Sequence, residues 1–217
     1  MNLYNIKRAL LSIVYPNRCP FCDKIIGACE FFCYGCSPLD SYENSDSRRT
    51  FYCIYNDKSK PIIAKAKENA DGYAISAAAE MLYSVLLKND ILNKIDVIVP
   101  IPARKSALRH RGYSFSAMLG KEIASLSGKK CSPNTLFFLR KTDEQKELTL
   151  TERAKNLKGA LGVKKPLNKF NVLVVDDICS SGATLDEARR ALSEYADSVG
   201  ERAEIYLAAF AKTGGFD

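Results

Sequence analysis

The 217-residue sequence contains no run of about 18 apolar residues, so no stretch of it reads as a membrane-spanning helix. It holds one histidine, His110. That residue lies between Arg109 and Arg111, and we assign it no catalytic role. The phosphate-binding pattern G-x-x-x-x-G-K-[ST] is missing: Gly120-Lys121-Glu122 and Gly128-Lys129-Lys130 lack both the upstream glycine and the hydroxyl. The dinucleotide fingerprint G-x-G-x-x-G is missing as well, and there is no internal repeat or low-complexity tract. These absences argue against a helical membrane protein, a Walker-type nucleotide hydrolase, a dinucleotide-binding enzyme with the usual fingerprint, and a solenoid.

A chain of this length that is 47% hydrophobic and 26% charged can bury one α/β core and a small appendage. Its net charge of +7 is uneven. Residues 101–170 hold 16 Lys and Arg against 5 Asp and Glu, a balance of +11, whereas the other 147 residues sum to −4. A basic middle points to an anionic ligand, either a phosphorylated small molecule or nucleic acid.

The apolar residues Leu3, Ile6, Leu10, Ile13 and Val14 are spaced as on one helical face. A signal peptide is the competing reading. It is disfavoured because Lys7-Arg8 precede only a seven-residue, mainly apolar stretch, Ala9 to Tyr15, and Pro16-Asn17-Arg18-Cys19 is a poor cleavage site, so a cytoplasmic protein is expected. The polar stretch Ser37 to Arg49 marks a boundary. We therefore expect residues 1–49 to form a helix and cysteine element with a linker, and residues 50–217 to form the main domain. Within the latter, Thr50–Tyr55 reads as a strand and Pro61–Leu87 as two helices separated at Gly72. Residues 95–102 (IDVIVPIP) read as a buried strand ended by prolines, followed by a basic loop. A helix is expected over Phe115–Ser125, with strands at Thr135–Leu139, Val172–Val175 and Glu204–Phe210 and a last helix over Ala183–Tyr195. Strands alternating with helices imply a mainly parallel sheet flanked by helices.

Five of the eight cysteines fall within Cys19–Cys36, and four of these form the pairs Cys19-Pro-Phe-Cys22 and Cys33-Tyr-Gly-Cys36, ten residues apart. Each C-x-x-C pair can present two sulfurs to one ion, and four thiolates make a closed, structural Zn²⁺ site. Disulfides or reduced thiols are the alternative, and Cys29, between the pairs, competes with Cys33 as a ligand.

Residues 172–185 read VLVVDDICSSGATL. The run Cys179–Thr184 sets Ser180, Ser181 and Thr184 and free backbone amides at a helix start, an arrangement that holds phosphate. Gly182 lets the backbone approach the anion. The carboxylates of Asp176 and Asp177 would repel that anion but accept hydrogen bonds from vicinal hydroxyls. A ribose 5-phosphate satisfies both halves.

This stretch resembles the hallmark of the type I phosphoribosyltransferases. The resemblance implies that Asp176 and Asp177, the candidate catalytic residues, bind ribose hydroxyls of phosphoribosyl pyrophosphate, and that Ser180, Ser181, Gly182, Ala183 and Thr184 bind its 5-phosphate. It narrows to the ComF competence family, on the four-cysteine element in Leu10–Cys36, Val99–Pro102, Arg109–Gly112, Gln145–Ala160 and Val172–Leu185. The chain departs from that family's usual pattern at Tyr113-Ser114-Phe115-Ser116, where an aromatic followed by Asn-Gln is common, and at Ser180-Ser181, where Thr-Thr is common. The fold implied is α/β and type I phosphoribosyltransferase-like, with a small N-terminal zinc-binding element.

By the same resemblance, pyrophosphate lies over Pro102–Gly112, with Arg104, Lys105, Arg109 and Arg111 as contacts and Mg²⁺ bridging pyrophosphate and ribose. The polar stretch Arg140–Gly159, with Lys141, Gln145, Arg153 and Asn156, takes the place of the family's hood, or is an arm that binds a partner. Two functions stay open. One is a phosphoribosyltransferase of unidentified acceptor. The other is a protein handling single-stranded DNA in natural transformation, with competence or helicase proteins as partners and exposed Tyr113 and Phe115 for stacking. Cys179, beside a helix start, is a candidate low-pKa thiol.

Overall fold

The structure is a computed structural model that describes residues 9–10, 12–14, 16–27, 30, 32–36, 48–140, 156–164, 166–167 and 171–214. Most of the expected linker and hood, together with Cys29, Lys141, Gln145 and Arg153, lie outside the described residues.

Five strands form the main sheet: β1 (Arg49–Ile54), β2 (Val97–Pro100), β3 (Lys130–Cys131), β6 (Asn171–Cys179) and β7 (Glu204–Lys212). Their order is β1-β7-β6-β2-β3, and every adjacent pair is parallel. Strands β4 (Leu136–Phe138) and β5 (Leu161–Val163) form a separate antiparallel pair. Helices among the described residues include α1 (Lys60–Glu68), α2 (Gly72–Lys88), α3 (Ile91–Lys94), α4 (Lys105–Arg111), α5 (Phe115–Ser127) and α6 (Ala183–Ser198). The architecture is the α/β, type I phosphoribosyltransferase-like one expected: a mainly parallel sheet flanked by helices, with a four-cysteine cluster near the N-terminus.

The alternation along β6 explains the two layers. Leu173 and Val175 pack with α1, α2 and α5 through residues such as Ile62, Leu82 and Leu119. Val172 and Val174 face Leu185, Ala188 and Leu192 of α6 and, beyond them, Leu136 and Leu161. All four β6 side chains are fully buried, which removes both faces of this central strand from water at about 1.5–3 kcal/mol for each large aliphatic. Local signals start the helices. Asp71 caps α2 by accepting the N–H groups of Tyr73 at 2.8 Å and Ala74 at 3.1 Å, and Ser114 caps α5 from Ala117 at 3.2 Å.

Several expectations need correction. The basic segment after β2 is not a loop: Lys105–Arg111 is helical, because Lys, Ala, Leu and Arg propagate a helix and Gly112 ends it at φ +76°. Strand β6 does not stop at Val175 but runs through both acids to Cys179. Strands β3 and β5 were not anticipated, being two and three residues long and too short to carry a periodic pattern.

This order positions a site. Strands β2 and β6 are neighbours, and α5 leads from β2 outward to β3 while α6 leads from β6 the other way to β7. The chain thus departs in opposite directions from the carboxyl ends of two adjacent parallel strands, which is where α/β sheets open a crevice.

Candidate functional site

A cavity of about 350 Å³ occupies that crevice. Its walls are the end of β6 with the following turn (Asp176, Asp177, Ile178, Cys179, Ser180, Gly182, Thr184), the segment from β2 into α4 (Ile101, Pro102, Ala103, Arg104, Ala107, Arg111), the start of α5 (Ser114, Phe115, Ser116), Lys67 of α1, Phe138, Leu157 and Leu185. Both acids, most of the hydroxyl-bearing turn and two of the four expected cations therefore meet at one concavity.

The turn owes its shape to Gly182, which takes φ +81° as the N-cap of α6. A Cβ there would lie 3.0 Å from Arg49 Nη1, so the position suits glycine both conformationally and sterically. Arg49 bonds Asp186 of the first turn of α6 at 2.6 Å and so partly offsets an acid set just behind the proposed anion cradle. Ser181 is exposed, and neither it nor Ala183 lines the cavity; the Ser181 hydroxyl accepts the Ala183 N–H at 3.4 Å.

Each acid is held by the chain beyond it. Asp176 Oδ1 accepts the Asp177 N–H at 2.8 Å, and Asp177 Oδ1 accepts the Ile178 N–H at 2.7 Å. Burial, with the Asp177 charge adding to it, pushes the Asp176 carboxyl well above the usual aspartate range. Asp177 meets the Lys67 ammonium at 2.7 Å. Lys67 is a residue that sequence reasoning missed, since nothing local distinguishes it from the other lysines of α1.

Of the four expected pyrophosphate contacts, Arg104 and Arg111 line the cavity, whereas Lys105 and Arg109 are exposed on α4 outside it. The helical form of this segment supplies the reason: 104, 107 and 111 recur on one face, and 105 and 109 lie on another. The Arg104 guanidinium also lies 5.9 Å from the centre of the Phe138 ring, which shares the cavity wall. His110 is exposed on α4.

Two further readings change. Phe115, expected to be an exposed stacking surface, is 2% exposed and sits in the core, while the Tyr113 hydroxyl accepts the Ala70 N–H at 3.0 Å. Cys179 is not an activated thiol: burial, aided by the nearby Asp176 charge, pushes it up to about 11.

The cysteine cluster lies apart from the cleft. The sulfurs of Cys19, Cys22, Cys33 and Cys36 all fall within 4.8 Å of one another, and Cys22 and Cys33 approach to 3.5 Å. A tetrahedral Zn²⁺ with Zn–S bonds of about 2.3 Å spaces its sulfurs at about 3.8 Å, so the four fit that ion. A tight turn sets the first pair: Cys19 N–H bonds Lys24 O at 2.8 Å, Asp23 N–H bonds Cys19 O at 2.9 Å, and Asp23 takes φ +63°. Burial alone would raise the Cys19 thiol, yet backbone N–H groups of Cys33, Phe21 and Cys22 aimed at it bring it down to about 7. A cluster that already favours thiolate at one position suits a cation. Burial and the neighbouring thiols push Cys36 up to about 12, as expected of four sulfurs crowded together. The element docks on the α1 side of the sheet, with Phe21 and Phe32 against that core and Lys65 paired to Asp23 at 2.6 Å.

The fold and the two sites define a parallel α/β protein with a switch-point cleft and a four-cysteine element. No family model matches the chain. It is similar to Competence protein F of Haemophilus influenzae, 23% identical over 88% of this chain and 93% of that protein. It is also similar to the DNA utilization protein YhgH of Salmonella typhi and of Salmonella typhimurium, 27% and 28% identical over 54% and 55% of this chain. Against these last two, the matched segment spans about half of the relative's length, 55% and 53%. Taken together, the relatives support the ComF family resemblance carried by the motifs. No helix among the described residues is long and apolar enough to cross a membrane.

Proposed function

We propose that the cleft binds phosphoribosyl pyrophosphate. The observation that carries this reading is the meeting of Asp176, Asp177, Gly182, Thr184, Arg104 and Arg111 around one cavity. The acids accept hydrogen bonds from the ribose hydroxyls, and the turn at the start of α6 receives the 5-phosphate through amides, hydroxyls and helix dipole. Arg104 and Arg111 meet the pyrophosphate, where a guanidinium fork matches two oxygens. The acid pair offers two carboxylates, too few for a Mg²⁺ cage, so it fits that ion as a companion of the ligand's pyrophosphate. Mg²⁺ bound there supplies charge neutralisation for the pyrophosphate. In a transfer reaction the same residues position the sugar, and the acids stabilise positive charge growing at its anomeric carbon. Such catalysis is electrostatic and needs no protein nucleophile. The acceptor is left open, and a site that binds without transferring fits the same geometry.

Calorimetry with phosphoribosyl pyrophosphate and Mg²⁺ tests this on wild type and on Asp176→Asn/Asp177→Asn. Micromolar binding to wild type, weakened on the order of 100-fold in the double variant, supports the reading. Absence of binding to wild type overturns it.

The second reading, single-stranded DNA handling in a cytoplasmic competence pathway alongside helicase or competence partners, has one specific observation in its favour. Lys105 and Arg109 continue the basic wall outside the cleft on the exposed side of α4. The names of the relatives agree with it. Affinity for a short single strand should then fall steeply with rising salt, and salt-insensitive or absent binding removes this reading.

A further inference from the structure

The cleft contains one cation that the sugar-phosphate reading has not used. Lys67 lines the cavity, comes from α1, and places its ammonium 2.7 Å from Asp177 Oδ2. Asp177 Oδ1 accepts the Ile178 N–H, so a ribose hydroxyl that donates to the other oxygen, Oδ2, meets the one that Lys67 holds. An ammonium has three donors on a flexible stem, and a carboxylate oxygen has more than one lone pair. Lys67 can therefore share or release Asp177 and turn a donor to an anionic oxygen beside the sugar.

The fold decides which end of the sugar that is. The phosphate turn opens α6, which packs on one face of the sheet through Leu185, Ala188 and Leu192. Helix α1 packs on the opposite face through Ile62, Ile63 and Ala66. Lys67 thus reaches the acids from the side away from the phosphate turn. Resting on the phosphoribosyl reading, we infer that Lys67 is a ligand-binding residue for the anionic group at the anomeric end of the sugar, so that the cleft selects pyrophosphorylated ribose over ribose 5-phosphate. A purely structural pair tying α1 to β6 would not distinguish the two ligands.

Calorimetry on the full chain separates these cases, with phosphoribosyl pyrophosphate plus Mg²⁺ and ribose 5-phosphate as the two probes, on wild type, Lys67→Met and Lys67→Arg. The expected result is a loss of about tenfold or more for the pyrophosphorylated sugar in Lys67→Met, since a charge-assisted contact is removed. Ribose 5-phosphate should change by less than about threefold in the same variant, and Lys67→Arg should keep most of the affinity for both probes. Equal loss for both probes, or unchanged affinity for the pyrophosphorylated one, overturns the role of Lys67 while leaving the cleft reading intact. Failure of wild type to bind either probe overturns both. Matching thermal transitions for the proteins confirm that folded chains are being compared, and Lys67→Gln, which removes the charge but keeps a donor, carries the test with the same expected outcomes as Lys67→Met if the latter does not fold.

Discussion

The cysteine element and the cleft are both short turns that gather reactive groups, but they are held together by different means. Around Cys19–Cys36, order comes from a few backbone hydrogen bonds and two half-buried phenylalanines. Little apolar surface is buried there to offset chain entropy, so the element is expected to depend on an ion such as the zinc that its sulfurs could hold. Around Asp176 and Gly182, the turn grows from a strand whose four preceding side chains are fully buried. Metal energy is expected to support the first site, whereas apolar burial anchors the second.

Zinc removal breaks the comparison most sharply. A chelator, or Cys22→Ser, should render residues 16–36 protease-sensitive and release about one Zn²⁺ per chain, because structural zinc supplies on the order of 10 kcal/mol to such a fold. Limited proteolysis with native mass spectrometry reads this, and the sheet should survive as a resistant fragment. A chain that holds no zinc, or a sheet that melts together with the element, contradicts the contrast.

Smaller effects probe the cleft. Gly182→Ala should cost about 1–2 kcal/mol, since the new Cβ meets φ +81° and a guanidinium nitrogen at 3.0 Å; thermal unfolding measures it. Asp176→Asn should stabilise the free protein. The folded-state pKa of Asp176 is raised, so its contribution to stability is full below the unfolded value and is lost as pH rises through the folded one. Asparagine can still accept the Asp177 N–H and carries no charge, so the gain should appear only as pH rises through that window and disappear in acid. A melting-temperature increase of roughly 2–4 °C at neutral pH corresponds to about 1 kcal/mol. Smallest is Arg49→Ala: the pair with Asp186 is partly exposed, and its loss should cost under about 1 kcal/mol.

Much of the site was legible because it is local. The acids, the hydroxyls and Gly182 lie within nine residues, and the four cysteines within eighteen. Each group gathers atoms that its own turn presents, so spacing alone announced the clustering. Lys67 and Arg49 were not legible, as each reaches its acid across a gap of more than 100 residues that only the sheet closes. The α4 segment lies between these cases. Its charge was plain, but treating it as a loop left all four cations equivalent, whereas helical spacing separates Arg104 and Arg111 from Lys105 and Arg109. The burial of Phe115 was missed for a similar reason: an aromatic after a polar turn looks exposed until the helix that it begins is laid on the sheet.

The last turn of α1 bears on both sites at once. Lys65 there holds Asp23 of the cysteine element, and two residues later Lys67 holds Asp177 of the cleft. A single helical turn is short and stiff, so a shift of the backbone under one lysine shifts the backbone under the other. This turn is therefore a covalent path along which coupling between the two sites can be tested. Reciprocity then requires that whatever factor zinc contributes to ligand affinity, the ligand returns to zinc affinity unchanged.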